Sequence, residues 1–428
     1  MPSRSLKINI ENWLPPMATI WLFVVLNSYI VWNALAPVVR ILPALVIIGG
    51  TFLISKKLRF TKSLCTLSLF IIIYFFWVTA LLSFSFASFV RRVLEIVPML
   101  CIIFWPKVLI LRTYNIIRKI IIFFAIGSAI ITVLILLGFG ERIPHLTLPP
   151  REPLHERIGM VYYLYGFFIA DHYPISGVAG RACGMLQEPG HFAILLGFIY
   201  IIERFSNRKI NFWIVLCGVL TFSSAFVLMM LFTEIYQLFV WKKLRKLLLI
   251  LPVIAVGLIA VYSFLPSEIK EQVEYLAYGR NLENVVDAYN ETSSLTGALD
   301  ERANDDSIAQ YEKLNTKQYL FGGGKIGKDG MLSDYRGMIL MIGVFGVVLS
   351  TLLYILVLKG TPLKVIIALG FAYFLVIIHR SWMLLSPYIF FLAFMAVFFY
   401  KVYNPKRVSK FRTVREKNIK TMVNPSVV

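Results

Sequence analysis

The run RACGMLQEPGHFA, residues 181–193, places an arginine, a glutamate and a histidine directly before a long apolar segment. Pro189 suits the first turn of a helix, where its missing N–H costs nothing. Glu188 then stands at a helix N-terminus, whose unsatisfied N–H groups and positive dipole end favour an anion. Arg181 can fold back to pair with Glu188, or reach past it to a ligand phosphate through its planar fork of donors. His191 enters one turn inside and brings an imidazole able to take or give a proton. Such a set can steady a departing phosphate and accept a hydroxyl proton. The same residues can also do no more than cap a helix and close a structural ion pair.

The elements that must position these groups are helices in a bilayer. Of the 428 residues 58% are hydrophobic and 15% charged, with a mean hydropathy of +0.76. Apolar runs long enough to span recur throughout. The expected fold class is all-α, a polytopic membrane protein with about twelve spans: roughly 16–33, 37–54, 64–84, 88–105, 118–138, 189–203, 211–222, 225–241, 247–265, 337–358, 361–378 and 382–400. The stretch 211–241 reads either as one bent helix or as two short ones. The N-terminal MPSRSLKINIENW leads into the first span without a small-residue cleavage pattern, so that span is expected to remain as an anchor. The expected organisation is an N-terminal bundle of five spans (1–138), a long outer loop (139–188), central spans (189–265), a second outer loop (266–336), C-terminal spans (337–400) and a basic tail (401–428). Cys65, Cys101, Cys183 and Cys217 show no paired or metal-type spacing.

Charge sets the orientation. The clusters SKKLRFTK, RFSNRK, WKKLRK and KRVSKFRTVREKNIK fall on one side when both termini are cytoplasmic. That side then holds 27 of the 43 Lys and Arg residues, 17 of them Lys, while the outer 16 comprise 11 Arg and 5 Lys. Positive-inside bias explains the lysines but not the outer arginines: Arg40, Arg91, Arg92, Arg142, Arg151, Arg157, Arg181, Arg280, Arg302, Arg336 and Arg380. His145, His155, His172, His191 and His379 map to the same outer face. An anionic ligand there accounts for the arginine excess. Pairing with loop acids such as Glu141, Glu152, Glu156, Asp300 and Glu301, or snorkelling to headgroups, is the alternative for any single residue. The net charge of +20 sits in juxtamembrane clusters and the tail, which matches anionic lipid rather than nucleic acid.

Two motifs are set aside. GGGKIGKD, Gly322–Asp329, nearly matches a phosphate-binding loop, but Asp329 replaces the magnesium-binding hydroxyl and no strand precedes it. Asn290 opens a glycosylation triplet of a kind common by chance.

Arg181, Gly184, Glu188, Pro189 and Gly190 resemble the R-x-x-G-x-x-x-E-P-[GS] element of bacterial polysaccharide repeat-unit polymerases of the Wzy type. Two looser similarities accompany it. Tyr319–Ser350 resembles the family's glycine-containing segment and the following span with a G-x-x-G turn, here Gly343 and Gly346. Leu220–Phe232 is similar to its serine-bearing break between two short spans. Ser333, Asp334 and Arg336 stand where many relatives and the related O-antigen ligases carry a His or His-Asn pair, so no catalytic histidine carries over to that position.

The resemblance implies a GT-C-like polymerase/ligase architecture in the bacterial inner membrane, with the active site facing the periplasm. It implies a metal-independent glycosyltransferase with no cofactor. The substrates would be undecaprenyl-pyrophosphate-linked oligosaccharides, polymerised into O-antigen, capsule or exopolysaccharide beside membrane lipid, with a flippase and a chain-length regulator of the same pathway as partners. The expected substrate-binding residues are Arg181 and Arg280, with Arg336, Arg380 and Arg91. Glu188 would orient Arg181 or the acceptor hydroxyl, and Asp334 or His191 would be the base. An O-antigen ligase is the alternative enzyme. A secondary transporter is the alternative outside enzymes, and it would show matching halves with polar residues deep in the spans.

Overall fold

The computed structural model describes residues 10–26, 28, 37–82, 85–148, 161–173, 178–186, 188–206, 210–240, 305–324 and 334–403. The ninth expected span, Arg280, Asn290 and most of the second outer loop and basic tail lie outside the described residues.

The chain is mostly helical. Among the described residues five helices open it: α1 (Ile10–Val25), α2 (Pro37–Leu53), α3 (Lys62–Leu82), α4 (Phe86–Ile103) and α5 (Lys107–Leu136). A four-stranded sheet follows. After it come α6 (Pro189–Phe205), α7 (Phe212–Leu220) and α8 (Ser224–Val240). Two short helices, α9 (Asp305–Glu312) and α10 (Thr316–Phe321), precede the closing helices α11 (Tyr335–Leu358), α12 (Leu363–Arg380) and α13 (Tyr388–Tyr403). Eleven of the expected apolar segments therefore coincide with helices. Among the described residues, α3, α5, α11 and the stretch Leu363–Leu385 are long and apolar enough to cross a membrane. Large apolar side chains stand outward on them, Phe76 with 70% of its surface exposed and Ile355 with 57%. In water such surface would be an aggregation liability; acyl chains cover it without cost.

Between their polar ends, α6 and α13 are apolar on nearly every face, as burial on every side requires. Along α6 nearly every residue from Pro189 to Phe205 is buried, and α13 buries Phe390, Phe391, Phe394 and Phe399. Small residues set the close approaches. Met229 of α8 packs over Gly197, where a Cβ would meet its sulfur at 2.4 Å.

Three features depart from a plain helical bundle. The stretch 211–241 is two helices: Phe222 breaks it at φ 47°, and the Thr221 hydroxyl accepts from Ser223 N at 3.3 Å. Helix α11 is broken at Gly343 (φ 71°, ψ 172°). The carbonyls freed there are taken up from outside the helix. Gly323 N donates to Leu340 O at 2.9 Å and Gly324 N to Met341 O at 3.1 Å, while Trp77 Nε1 donates to Ile342 O at 3.0 Å. Irregular backbone survives at membrane depth only when satisfied in this way. The glycine run that mimics a nucleotide loop is thus the plug of a broken helix.

The third departure is in the first outer loop, which carries an antiparallel meander in the order β1-β2-β3-β4: β1 (Leu146–Leu148), β2 (Val161–Tyr165), β3 (Phe168–Tyr173) and β4 (Val178–Gly184). Strand β4 lies against α5 and α6, so the sheet ends where α6 begins. This β element was not expected in a chain read as all-α. Its strands are too short and too local to stand out against about twelve apolar spans.

The helix ends sort by chemistry. At one end Lys57 pairs with Glu11, Arg118 with Glu203 and Arg204 with Glu234, and Lys401 donates to Lys359 O. At the other end lie the sheet and the starts of α4, α6, α11 and α13.

Candidate functional site

Pro189 begins α6, and Glu188, extended at φ −116°, is its N-cap, as the sequence predicts. The Glu188 carboxylate is buried. Arg380, from the last turn of α12, brings Nη2 to 2.6 Å from Glu188 Oε2, and His191 Nε2 lies 3.5 Å from the same oxygen. The ring of Trp382, in the single 3-10 turn that follows α12 (Ser381–Leu385), meets that of His191 edge-on at 4.5 Å. Gly190 permits the arrangement, since a Cβ there would come 3.3 Å from Arg380 Nη2. A carboxylate, an imidazole, a guanidinium and an indole thus meet at one helix N-terminus.

Arg181 does not fold back onto Glu188. It lies on β4, opposite Asp171 of β3, and Asp171 takes it completely. Oδ1 accepts from Arg181 N at 2.9 Å and from Nε at 3.1 Å, and Oδ2 closes an ion pair with Nη2. Burial alone would lower the guanidinium pKa, but the charge and hydrogen bonds of Asp171 outweigh it, and the pKa is raised. Arg181 is a fixed cation inside the sheet. Asp171 went unnoticed because its partnership arises from strand pairing.

Asp334 is the N-cap of α11. Its Oδ1 accepts from Arg336 N at 2.8 Å, and its Oδ2 takes Arg336 Nη2 at 2.7 Å and Nε at 3.0 Å. Both oxygens are occupied by donors, a capping arrangement that leaves few free lone pairs for a base. Ser381 donates its hydroxyl to Asp334 O, so the α11 N-terminus is tied to the turn that carries Arg380 and Trp382. The pairs Asp334–Arg336 and Glu188–Arg380 are therefore neighbours.

On α4, Arg91 pairs with Glu95 at 3.0 Å and is half exposed. Its neighbour Arg92 is the one that reaches the 3-10 turn, donating to Leu385 O at 3.0 Å. Tyr74 of α3 secures the same turn, donating to Leu384 O at 2.9 Å. Above Arg336, the Tyr311 hydroxyl of α9 is pushed up to about 12 by burial first and then by Tyr319 and Tyr335. The orientation read from charge placed Arg91 and Arg92 at the outer end but gave no sign of which one faces the turn.

Three of the ion pairs at this end, Arg380–Glu188, Arg181–Asp171 and Arg336–Asp334, differ in access. The Arg380 side chain keeps 30% of its surface, against 11% for Arg181 and 8% for Arg336. Chemically, the arrangement offers one accessible guanidinium backed by a buried carboxylate that also faces an imidazole. Among the described residues no group of three or more His, Cys, Asp or Glu side chains is placed to hold a metal ion.

Comparison of the chain with protein-family models, with curated proteins and with solved structures finds no match.

Proposed function

We propose that the protein is a polysaccharide repeat-unit polymerase of the inner membrane, working at the periplasmic helix ends on oligosaccharides carried by undecaprenyl pyrophosphate. The observation that carries this reading is the Glu188–Arg380–His191 cluster, built on the sequence element that resembles that family. In the step proposed, a sugar hydroxyl of one lipid-linked unit attacks the anomeric carbon of a second. The carbon–oxygen bond to pyrophosphate breaks, and undecaprenyl pyrophosphate leaves.

Arg380 is the pyrophosphate ligand in this reading, because it combines access with a guanidinium held by a buried carboxylate. A cation held before the reaction stabilises charge that develops on the leaving group without reorganising. Glu188 holds Arg380 in place, and the Glu188–His191 pair receives the acceptor proton. Arg336 and Arg181 keep their own carboxylates, so their charges are largely compensated within the protein. Arg280 remains a candidate ligand from the second outer loop.

Arg380→Lys keeps the charge but loses the fork, and Glu188→Gln keeps the shape but loses the charge. Each variant is expected to accumulate in the membrane, to export and transfer single repeat units, and to lose long chains, read by gel analysis of the surface glycan and of lipid-linked intermediates. Unchanged long chains in both variants would remove the cluster from the reaction. The Arg118–Glu203 pair at the opposite end, with its carboxylate buried, is the observation that favours a transporter. A transporter variant would strand units on the cytoplasmic leaflet, and a ligase variant would leave lipid-linked polymer unattached.

A further inference from the structure

The β2–β3 hairpin does not stand clear of the helices; it descends along α5. Gly166 (φ 63°) and Phe167 form its two-residue turn, closed by the pairing of Tyr165 with Phe168. Phe168 packs against Phe123 and Phe124 of α5, with ring centroids 5.4 and 5.9 Å apart. Its ring tip fills the notch at Gly127, where a Cβ would fall 2.0 Å away. Phe123, Phe124 and Gly127 belong to a helix long and apolar enough to cross a membrane. The Arg118–Glu203 ion pair ties α5 to α6 and gives a common origin for depth. Counted from it at 1.5 Å per residue, Gly127 lies about 13 Å up α5, whereas Glu188 lies about 22 Å up α6. The hairpin contact is thus roughly two turns deeper than the charged cluster.

At that depth Phe167 is 65% exposed. It continues the outward apolar surface of α5, where Phe123, Ile130 and Val133 are exposed by 52%, 45% and 37%. We propose that the β2–β3 turn is embedded among the acyl chains of the outer leaflet, with Phe167 as its lipid anchor. The occupant follows from continuity, because the surface that Phe167 extends is the lipid-facing side of a span. A two-residue turn is the hairpin closure that leaves the fewest backbone groups to satisfy, as an apolar surrounding demands. The anchor also has a consequence for the proposed reaction. It pins β3 and β4, and hence the Asp171–Arg181 pair, at the edge of the bilayer from which a polyprenyl-linked substrate enters.

The inference rests on reading α5 as a membrane span, and not on the polymerase reading. Its test uses the full-length protein in phosphatidylcholine vesicles, with its four cysteines replaced and a fluorescent label on Phe167→Cys, on Ile130→Cys as the lipid reference, or on Lys317→Cys as the water reference. Strong quenching at position 167 by doxyl-labelled lipid, with protection from iodide matching position 130, is the expected result. Iodide quenching at 167 equal to that at 317, with 130 still protected, overturns the anchor alone. Iodide quenching at both 167 and 130 overturns the membrane reading of α5 and the anchor with it. A second measurement keeps the native cysteines: a photoreactive benzoylphenylalanine at 167 should yield lipid adducts, and adducts only to protein would overturn the proposal.

Discussion

At the scale of single residues, the outer arginines owe their positions to carboxylates. Arg181, Arg336 and Arg380 each hold one intramolecular acid: Asp171, Asp334 and Glu188. All three partners fall within the two loops expected outside the membrane, so pairing with loop acids holds for these arginines, at acids other than those singled out from the sequence. Asp171→Asn should strand a buried cation and lower stability by about 3–5 kcal/mol. Thermal unfolding in detergent measures this, and the double variant Asp171→Asn, Arg181→Gln should recover part of the loss. Full stability of Asp171→Asn alone would show that Arg181 is compensated elsewhere. Arg181→Lys should accordingly lose stability as well as polymer, which separates it from Arg380→Lys. Cys183 gives a pH prediction. Burial first, and then the Asp171 charge, raises its thiol pKa well above the usual value. A raised pKa means less thiolate at any given pH, so maleimide at pH 8 should label exposed Cys65 and spare Cys183 in the folded protein. Labelling of both at equal rates would contradict the packing of β4.

At the scale of elements, the break in α11 is the feature most dependent on one residue. Gly343 has φ 71°, and a Cβ there would lie 2.4 Å from Gly322 N. Gly343→Ala should therefore cost at least about 2 kcal/mol, from backbone strain together with displacement of the Gly322–Gly324 plug. Gly49, inside α2 with open space around it, is the contrasting case. Gly49→Ala should be neutral or stabilising by about 0.5–1 kcal/mol. Melting temperatures of the two variants compare them directly, and equal shifts would argue against the broken helix.

At the scale of the whole molecule, the ion pairs divide into two sets at opposite helix ends. Among the described residues one set is Lys57–Glu11, Arg118–Glu203 and Arg204–Glu234; the other is Glu188–Arg380, Asp334–Arg336, Asp171–Arg181 and the pairs of Glu95 with Arg91 and Arg92. If positive-inside bias sets the orientation, the first set faces the cytoplasm. Gly140→Cys should then react with a membrane-impermeant thiol reagent on intact spheroplasts, whereas Gly360→Cys should react only after lysis. The reverse pattern would turn the proposed active site to the wrong compartment.

Periodicity and composition by themselves determined the helices and their apolar character, because a bilayer forces long uncharged runs that any window reveals. They also determined the N-cap at Glu188, since Pro189 fixes a helix start locally. The break between α7 and α8 was legible only as an ambiguity, which the backbone at Phe222 resolves. Tertiary structure alone decided who pairs with whom. Glu188 is claimed by Arg380, almost two hundred residues away, and Arg181 by a strand neighbour that no helical spacing could indicate. A glycine run with the look of a nucleotide loop became a plug, because the carbonyls it satisfies belong to another helix. Local sequence specifies which backbone groups and charges need partners; only the fold brings a particular partner within 3 Å.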